Sequence, residues 1–410
     1  MSGYRKCIYC NFKKEDKEFS LEHIFPAALG GKYLDDALFK THNVCKECNN
    51  KFGLYIDGLL LRSFFVKNEA FNHYLDYYQK GIHYTIPFVF IGTLQQPAIK
   101  HPDYKYCDVW EWVGGSRVYH FHNNYNEFFR SYVSGHPIKF KSKKEAGEAY
   151  LVGVKEDISD DLFLTMLFSF QEHFQYQKRF SVNMKLKMED LRDKKRKKIA
   201  FFDEPHEKNK KVIENILKIT NIEHHTNIPF QEGSEWKFLA KLAIGLGCNL
   251  FGEAFLQTKE YKTFLEIINI RDFKALKEKV SSDVVMSNFF SPKIQNFKQM
   301  GEILAFESGH TLIFQLLGKR LFFIMYLYNK EYSYVVQIVE NISNYESQFL
   351  KEFKQGFVYI CIPALQKGIG PIDLGAYLAW RLGDNSFLQQ NHKELLNHAL
   401  EIFNKNKQRF

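Results

Sequence analysis

Cys7-Ile8-Tyr9-Cys10 and Cys45-Lys46-Glu47-Cys48-Asn49-Asn50-Lys51-Phe52-Gly53 are the stretches that decide how this chain is read. Four of its seven cysteines form these two Cys-x-x-Cys pairs within the first 48 residues, while Cys107, Cys248 and Cys361 stand singly. A Cys-x-x-Cys turn aims two thiolates at one ion at about 2.3 Å each, and two such turns complete the closed tetrahedral shell of structural zinc. Cys7, Cys10, Cys45 and Cys48 are therefore the expected Zn²⁺ ligands. A redox pair would call for one such motif at a strand-to-helix junction, whereas this chain has two. The three single cysteines read as small apolar core residues.

Between the pairs run Phe19-Ser20-Leu21-Glu22-His23-Ile24-Phe25-Pro26, then Gly30-Gly31, then Thr41-His42-Asn43-Val44 leading into Cys45. In this order, with Asn49 directly after the last cysteine, the segment resembles the four-cysteine branch of the HNH nucleases, the ββα-metal family. The resemblance covers roughly residues 4 to 58, and Ile56-Asp57-Gly58-Leu59-Leu60 is similar to the helix exit of bacterial members. It implies a zinc-bound ββα module and metal-dependent hydrolysis of phosphodiester bonds, with DNA as the expected substrate. His23 takes the place of the general base, Glu22 and Asn49 hold one divalent cation, and Asn43 orients the His23 ring. His42 stays a rival for the role of Asn43, and Asn50 for that of Asn49. The chain departs from the commonest pattern by having Glu before the His, and Asn where a terminal His is often found. Both changes keep an oxygen ligand.

The chemistry explains these residue types. Cleaving a phosphodiester requires a water to be deprotonated, the developing charge to be stabilised and the leaving oxygen to be neutralised. A histidine of unperturbed pKa near 6.5 is suited to the first task. Two oxygen ligands suit Mg²⁺ or Mn²⁺, which keep most of their shell for water and phosphate. The zinc is then a fold element.

The remaining seven-eighths of the chain carries no comparable motif. Residues 58 to 78 and 159 to 180 have helical spacing, and Cys107 to Trp112 with Arg117 to His122 read as a hairpin around Gly114-Gly115. Ser234 to Phe255 is an apolar helix, in which Gly245, Gly247 and Gly252 are packing glycines and not a nucleotide fingerprint. His310 to Leu317, Arg320 to Tyr328 and Tyr332 to Val339 read as three strands, and the end from Leu374 is helical. Histidines 120, 122, 224, 225 and 310 could ligate metal, but nothing beside them in sequence completes a site, so each reads as structural.

Composition fits a globular chain of more than one domain: 410 residues, 45% hydrophobic and 25% charged. The longest apolar run, Leu321 to Tyr328, falls short of a membrane span, and the N-terminus lacks the apolar stretch of a signal peptide, so a reducing cytoplasm without membrane attachment is expected. Net charge is +9 but uneven: residues 1 to 58 hold 9 basic and 8 acidic side chains, and residues 185 to 211 hold 11 and 6. The run Lys194-Lys195-Arg196-Lys197-Lys198 is the expected phosphate-contacting segment. An α+β protein follows, with a nuclease module at 1–58, an α+β region at 59–184, a basic linker at 185–230 and a C-terminal recognition or regulatory domain at 231–410. Two-part bacterial nucleases, anti-phage effectors among them, are arranged in this way. A homodimer or a regulatory partner fits the task of cutting two strands. Two other readings stand beside this one: a zinc-knuckle protein that binds nucleic acid without cutting it, and a nuclease acting on RNA.

Overall fold

The computed structural model describes residues 3–34, 37–61, 63–79, 85–94, 101–112, 115–123, 147–152, 158–182, 207–220, 233–280, 285–287, 295–307, 309–328, 333–345 and 351–407. The basic run Lys194 to Lys198, together with His224 and His225, lies outside them. The fold is mixed α+β. It divides into two compact units, one made of residues 1–61 with 232–410 and the other of residues 62–231. The N-terminal module and the C-terminal region, which the sequence sets apart, thus share one unit.

The module begins with a short hairpin, β1 (Tyr4–Lys6) and β2 (Lys13–Glu15), which carries the first cysteine turn at its tip. A second hairpin follows, β3 (Phe19–His23) and β4 (Lys40–Cys45), and the helix Lys46–Phe52 leaves directly from Cys45. This helix widens into one π turn, Gly53–Asp57, before Gly58–Leu61. The connection between β3 and β4 explains the Gly-Gly pair. Gly30 has φ 87° and caps the turn Ala27–Leu29, while a Cβ on Gly31 would lie 1.8 Å from the Phe25 carbonyl oxygen.

Residues 62–231 are built on a five-stranded sheet in sequence order: β5 (Val89–Leu94), β6 (Tyr106–Glu111), β7 (Arg117–His122), β8 (Glu148–Val152) and β9 (Lys178–Ser181). The β6–β7 hairpin is the expected one. The helix expected to reach residue 180 ends at His173, because residues 178–181 pair in parallel with β8. Side chains alternate across the sheet, and one face packs Phe90, Trp110, Val118 and Leu151 with Phe163, Leu167 and Phe170 of the helix Asp160–His173. The opposite face packs Val109, Tyr119, Tyr150 and Phe180 with Val212 and Ile216.

The C-terminal region holds a six-stranded antiparallel sheet in the order β10 (Val285–Ser287), β13 (Ser333–Val339), β12 (Arg320–Tyr326), β11 (His310–Leu317), β14 (Gly356–Ile362), β15 (Lys367–Asp373). β11 to β13 are the three strands legible in sequence. β14 is buried along its whole length, which gives it a continuous apolar run without period two and hides it from pattern reading. The helix Ser234–Phe251 packs on β13. With its continuation to Gln257 it is long and apolar enough to cross a membrane, yet 67% of its apolar window is buried within the protein, as in a core helix. Two of the three expected packing glycines close-pack: a Cβ on Gly245 would meet Ile24 at 2.7 Å, and one on Gly247 would meet the Phe255 ring at 2.4 Å, whereas Gly252 ends the helix at φ 64° with nothing within 4 Å of a Cβ position.

Candidate functional site

The two cysteine turns converge. One sulfur from each of Cys7, Cys10, Cys45 and Cys48 lies within 4.8 Å of all the others. Cys7, Cys45 and Cys48 are buried, Cys10 is half-buried, and none is in a disulfide. The Cys45 amide donates to Cys7 Sγ at 3.4 Å, the kind of contact that stabilises a thiolate. A hydrogen bond from Cys48 is the main cause that lowers the Cys7 thiol to about 4, and burial pushes Cys10 up to about 11. The donor set and spacing fit a structural zinc ion, which four soft thiolates favour over any hard cation.

This cluster ties the β1–β2 turn to the end of β4 and the start of the helix Lys46–Phe52, and β4 in turn pairs with β3. Phe19 pairs with Cys45, Ser20 with Val44, Glu22 with Thr41 and His23 with Lys40; a bulge on β4 sets His42 and Asn43 opposite Leu21. Alternation along β3 turns Leu21 and His23 to one side, exposed and half-buried, and Glu22 to the other, buried. His23 is lowered from its ordinary 6.5, first by partial burial and then by the charge of Lys40 across the hairpin. It is therefore a neutral imidazole at neutral pH, able to accept a proton.

Asn49, on the first turn of the helix, reaches back to β3. Its Nδ2 donates to Ser20 Oγ at 3.0 Å and to the Leu21 carbonyl at 2.9 Å. The amide is thereby fixed one to two residues from Glu22 and His23 along the strand, with Oδ1 left as its acceptor. Asn50, its rival in sequence, is exposed. Asn43 is exposed too; its amide donates to Thr41 Oγ1 and its carbonyl accepts from the Ile8 amide. The His42 carbonyl accepts from Arg5.

Glu22 has a partner that sequence reading missed. Lys241, in the middle of the helix Ser234–Phe251 and 1% exposed, lies 2.7 Å from Glu22 Oε1 and donates to Asp57 Oδ2 at 2.5 Å. Burial raises both carboxyls above the usual carboxylate range, and Lys241 draws each back down. With all three groups charged, the triad holds two negative charges against one positive. The residual negative charge, next to a cluster whose four thiolates exceed a zinc ion by two, makes this a place where a further cation is electrostatically favoured. The sequence offered only hints of its members: Asp57 lies in the Ile56-Asp57-Gly58 exit, and Lys241 is the one charged residue between Phe238 and Leu246. Only the fold brings positions 22, 57 and 241 together.

The C-terminal region also closes the module elsewhere. Asn249 Nδ2 donates to the carbonyls of Ala37, Leu38 and Lys40, which are 2.8 to 3.0 Å away. Tyr261 OH donates to the Ile8 carbonyl at 3.0 Å, just after the first cysteine. Phe39 packs edge-on to Tyr359 at 4.8 Å, and Cys361 Sγ contacts the Gly30 carbonyl at 3.3 Å.

Comparison with curated proteins and with solved structures finds no match to the chain. Residues 7–65 match the family model described as HNH endonuclease, which spans both cysteine pairs, Glu22-His23 and Asn49. With the four cysteines gathered as a zinc-type cluster on a β-hairpin and helix, the N-terminal segment of this chain is an HNH endonuclease domain.

Proposed function

We propose that the protein is a metal-dependent endonuclease that hydrolyses DNA phosphodiester bonds at the end of β3. The observation that carries this reading is the hairpin and helix pinned by the cysteines, which bring a neutral His23 and the fixed amide of Asn49 to one strand end. His23 takes the proton of the attacking water. Asn43, on the bulge opposite, orients the ring.

Glu22 and Asn49 hold a single hard cation in this reading. Asn49 offers Oδ1, since its nitrogen is committed to Ser20 and Leu21; Glu22 offers Oε2, since Oε1 is held by Lys241. Mg²⁺ or Mn²⁺ suits so sparse a protein shell, and when bound it supplies charge neutralisation at the phosphate and the leaving oxygen. Lys241 opposes the upward push of burial on the Glu22 carboxyl and fixes its Oε1, so it acts as a positioning residue.

The module is almost neutral and its thiolates are anionic, so attraction to the phosphate backbone falls to the other 352 residues, which carry 47 basic against 39 acidic side chains. Lys194 to Lys198 are the leading contacts for this role. The C-terminal region selects the substrate or restrains the nuclease, and a dimer presents two centres to the two strands. Incubating the purified chain with labelled duplex DNA, single-stranded DNA and RNA in Mg²⁺ or Mn²⁺ tests the substrate. Cleavage of duplex DNA is expected. Cleavage of RNA alone would replace the substrate, and binding without cleavage of any of them would favour a zinc-knuckle binding protein.

A further inference from the structure

We propose that residues 62–231 hold a second transition-metal site, independent of the nuclease reading, in which Asp108, His120 and His122 bind one divalent ion of the zinc class. Antiparallel pairing sets Asp108 of β6 directly opposite His120 of β7, and His122, two residues on, projects from the same face. One ligand atom from each residue lies within 4.8 Å of the other two. Three donors at about 2.0–2.2 Å from a tetrahedral zinc would stand roughly 3.4 Å apart, so the cluster needs little adjustment to close on an ion.

The residues are 5%, 3% and 5% exposed, and they belong to the face of the sheet that packs Trp110 and Phe174. His122 Nε2 lies 3.0 Å from Asp108 Oδ2, and Thr93 Oγ1 donates to Asp108 Oδ1 at 2.5 Å. The first separation is close to the spacing of two ligands on one ion, and the Thr93 bond is the support a ligating carboxylate receives from a group outside the shell. A buried Asp–His pair alone would be an ordinary hydrogen bond.

His120 is what sets this cluster apart. Among the described residues neither of its ring nitrogens has a hydrogen-bond partner, although the ring is held 5.0 Å from that of His122 and 5.5 Å from that of Phe174. Burying an imidazole without partners is costly, and buried polar atoms are nearly always satisfied. An ion shared with Asp108 and His122 gives His120 the missing partner. Two imidazoles and one carboxylate favour zinc or a similar transition metal over Mg²⁺ or Ca²⁺, which seek oxygen shells. Three protein donors leave one tetrahedral position for water or another ligand. The sequence hid the site because the carboxylate lies a dozen residues before the histidines and only the hairpin unites them.

The full-length protein, loaded with Zn²⁺ and dialysed to strip weakly held ions, tests this by elemental analysis. We expect two zinc equivalents per chain, falling twofold to one in His120→Leu while the four-cysteine zinc is kept. A single equivalent in the parent protein, or two in folded His120→Leu, would overturn the proposal. Should His120→Leu fail to fold, zinc-edge X-ray absorption on the parent protein decides. A first shell averaging half sulfur and half nitrogen or oxygen is expected, and an all-sulfur shell overturns the site.

Discussion

His23 faces Lys40 across the β3–β4 hairpin, and the consequence shows in its titration. Partial burial and then the Lys40 charge lower it from 6.5. In the proposed role of general base His23 works only when deprotonated, so the acidic limb of the pH–rate profile is expected to have its midpoint below 6.5, with activity level by neutral pH. Removing the Lys40 charge by Lys40→Met raises the imidazole pKa, so that limb moves to higher pH. A limb that stays in place in Lys40→Met contradicts this account of the site. Much at this scale was legible in the sequence: the cysteine spacing named Cys7, Cys10, Cys45 and Cys48, and the structure gathers them. Adjacency to Cys48 favoured Asn49 over Asn50 in the sequence, and the donation from Asn49 to Ser20 and Leu21 adds support that sequence could not supply. Lys241 was illegible as a partner, because nothing in a helical stripe tells which strand its ammonium will meet.

The helix Ser234–Phe251 lies against the residue that follows His23, and Gly245 makes that approach possible, since a Cβ there would sit 2.7 Å from Ile24. Gly245→Val should destabilise the protein by about 1–3 kcal/mol through overpacking, and Ile24→Ala should restore part of the loss. Urea unfolding measures both, and additive losses in the double variant would contradict the contact. The same helix delivers Lys241 to two buried carboxylates. Lys241→Met leaves these without their cation, a loss of about 3–5 kcal/mol. Adding Glu22→Gln and Asp57→Asn to Lys241→Met should recover stability without recovering cleavage. Helix periodicity made this element legible, and the small residues along it announced close packing. β14 and β15 were not legible: one is apolar throughout, and the other includes Gly370-Pro371, which reads as a turn.

At the scale of the molecule, sequence suggested a sixty-residue nuclease module with a separate region behind it. Residues 1–61 instead share one compact unit with residues 232–410. Carbonyls of the module are capped by Asn249 and Tyr261, its ring Phe39 packs on Tyr359, and its Glu22 pairs with Lys241. Length alone could not reveal this, because such contacts join positions more than two hundred residues apart. A fragment of residues 1–61 should therefore bind zinc without a dispersed amide NMR spectrum, since its core is incomplete. A well-dispersed spectrum from the fragment alone would show that the module folds without the C-terminal strands and helices.

The central claim is that a zinc-pinned HNH domain cleaves DNA through His23. Nicking of supercoiled plasmid by the full chain, with and without Mg²⁺ or Mn²⁺ and beside a His23→Ala protein that keeps its zinc and its fold, measures it most directly. The account predicts metal-dependent nicking by the parent protein and a loss of at least about 100-fold in the variant. Undiminished nicking by His23→Ala, or none by the parent protein with either metal, would contradict it.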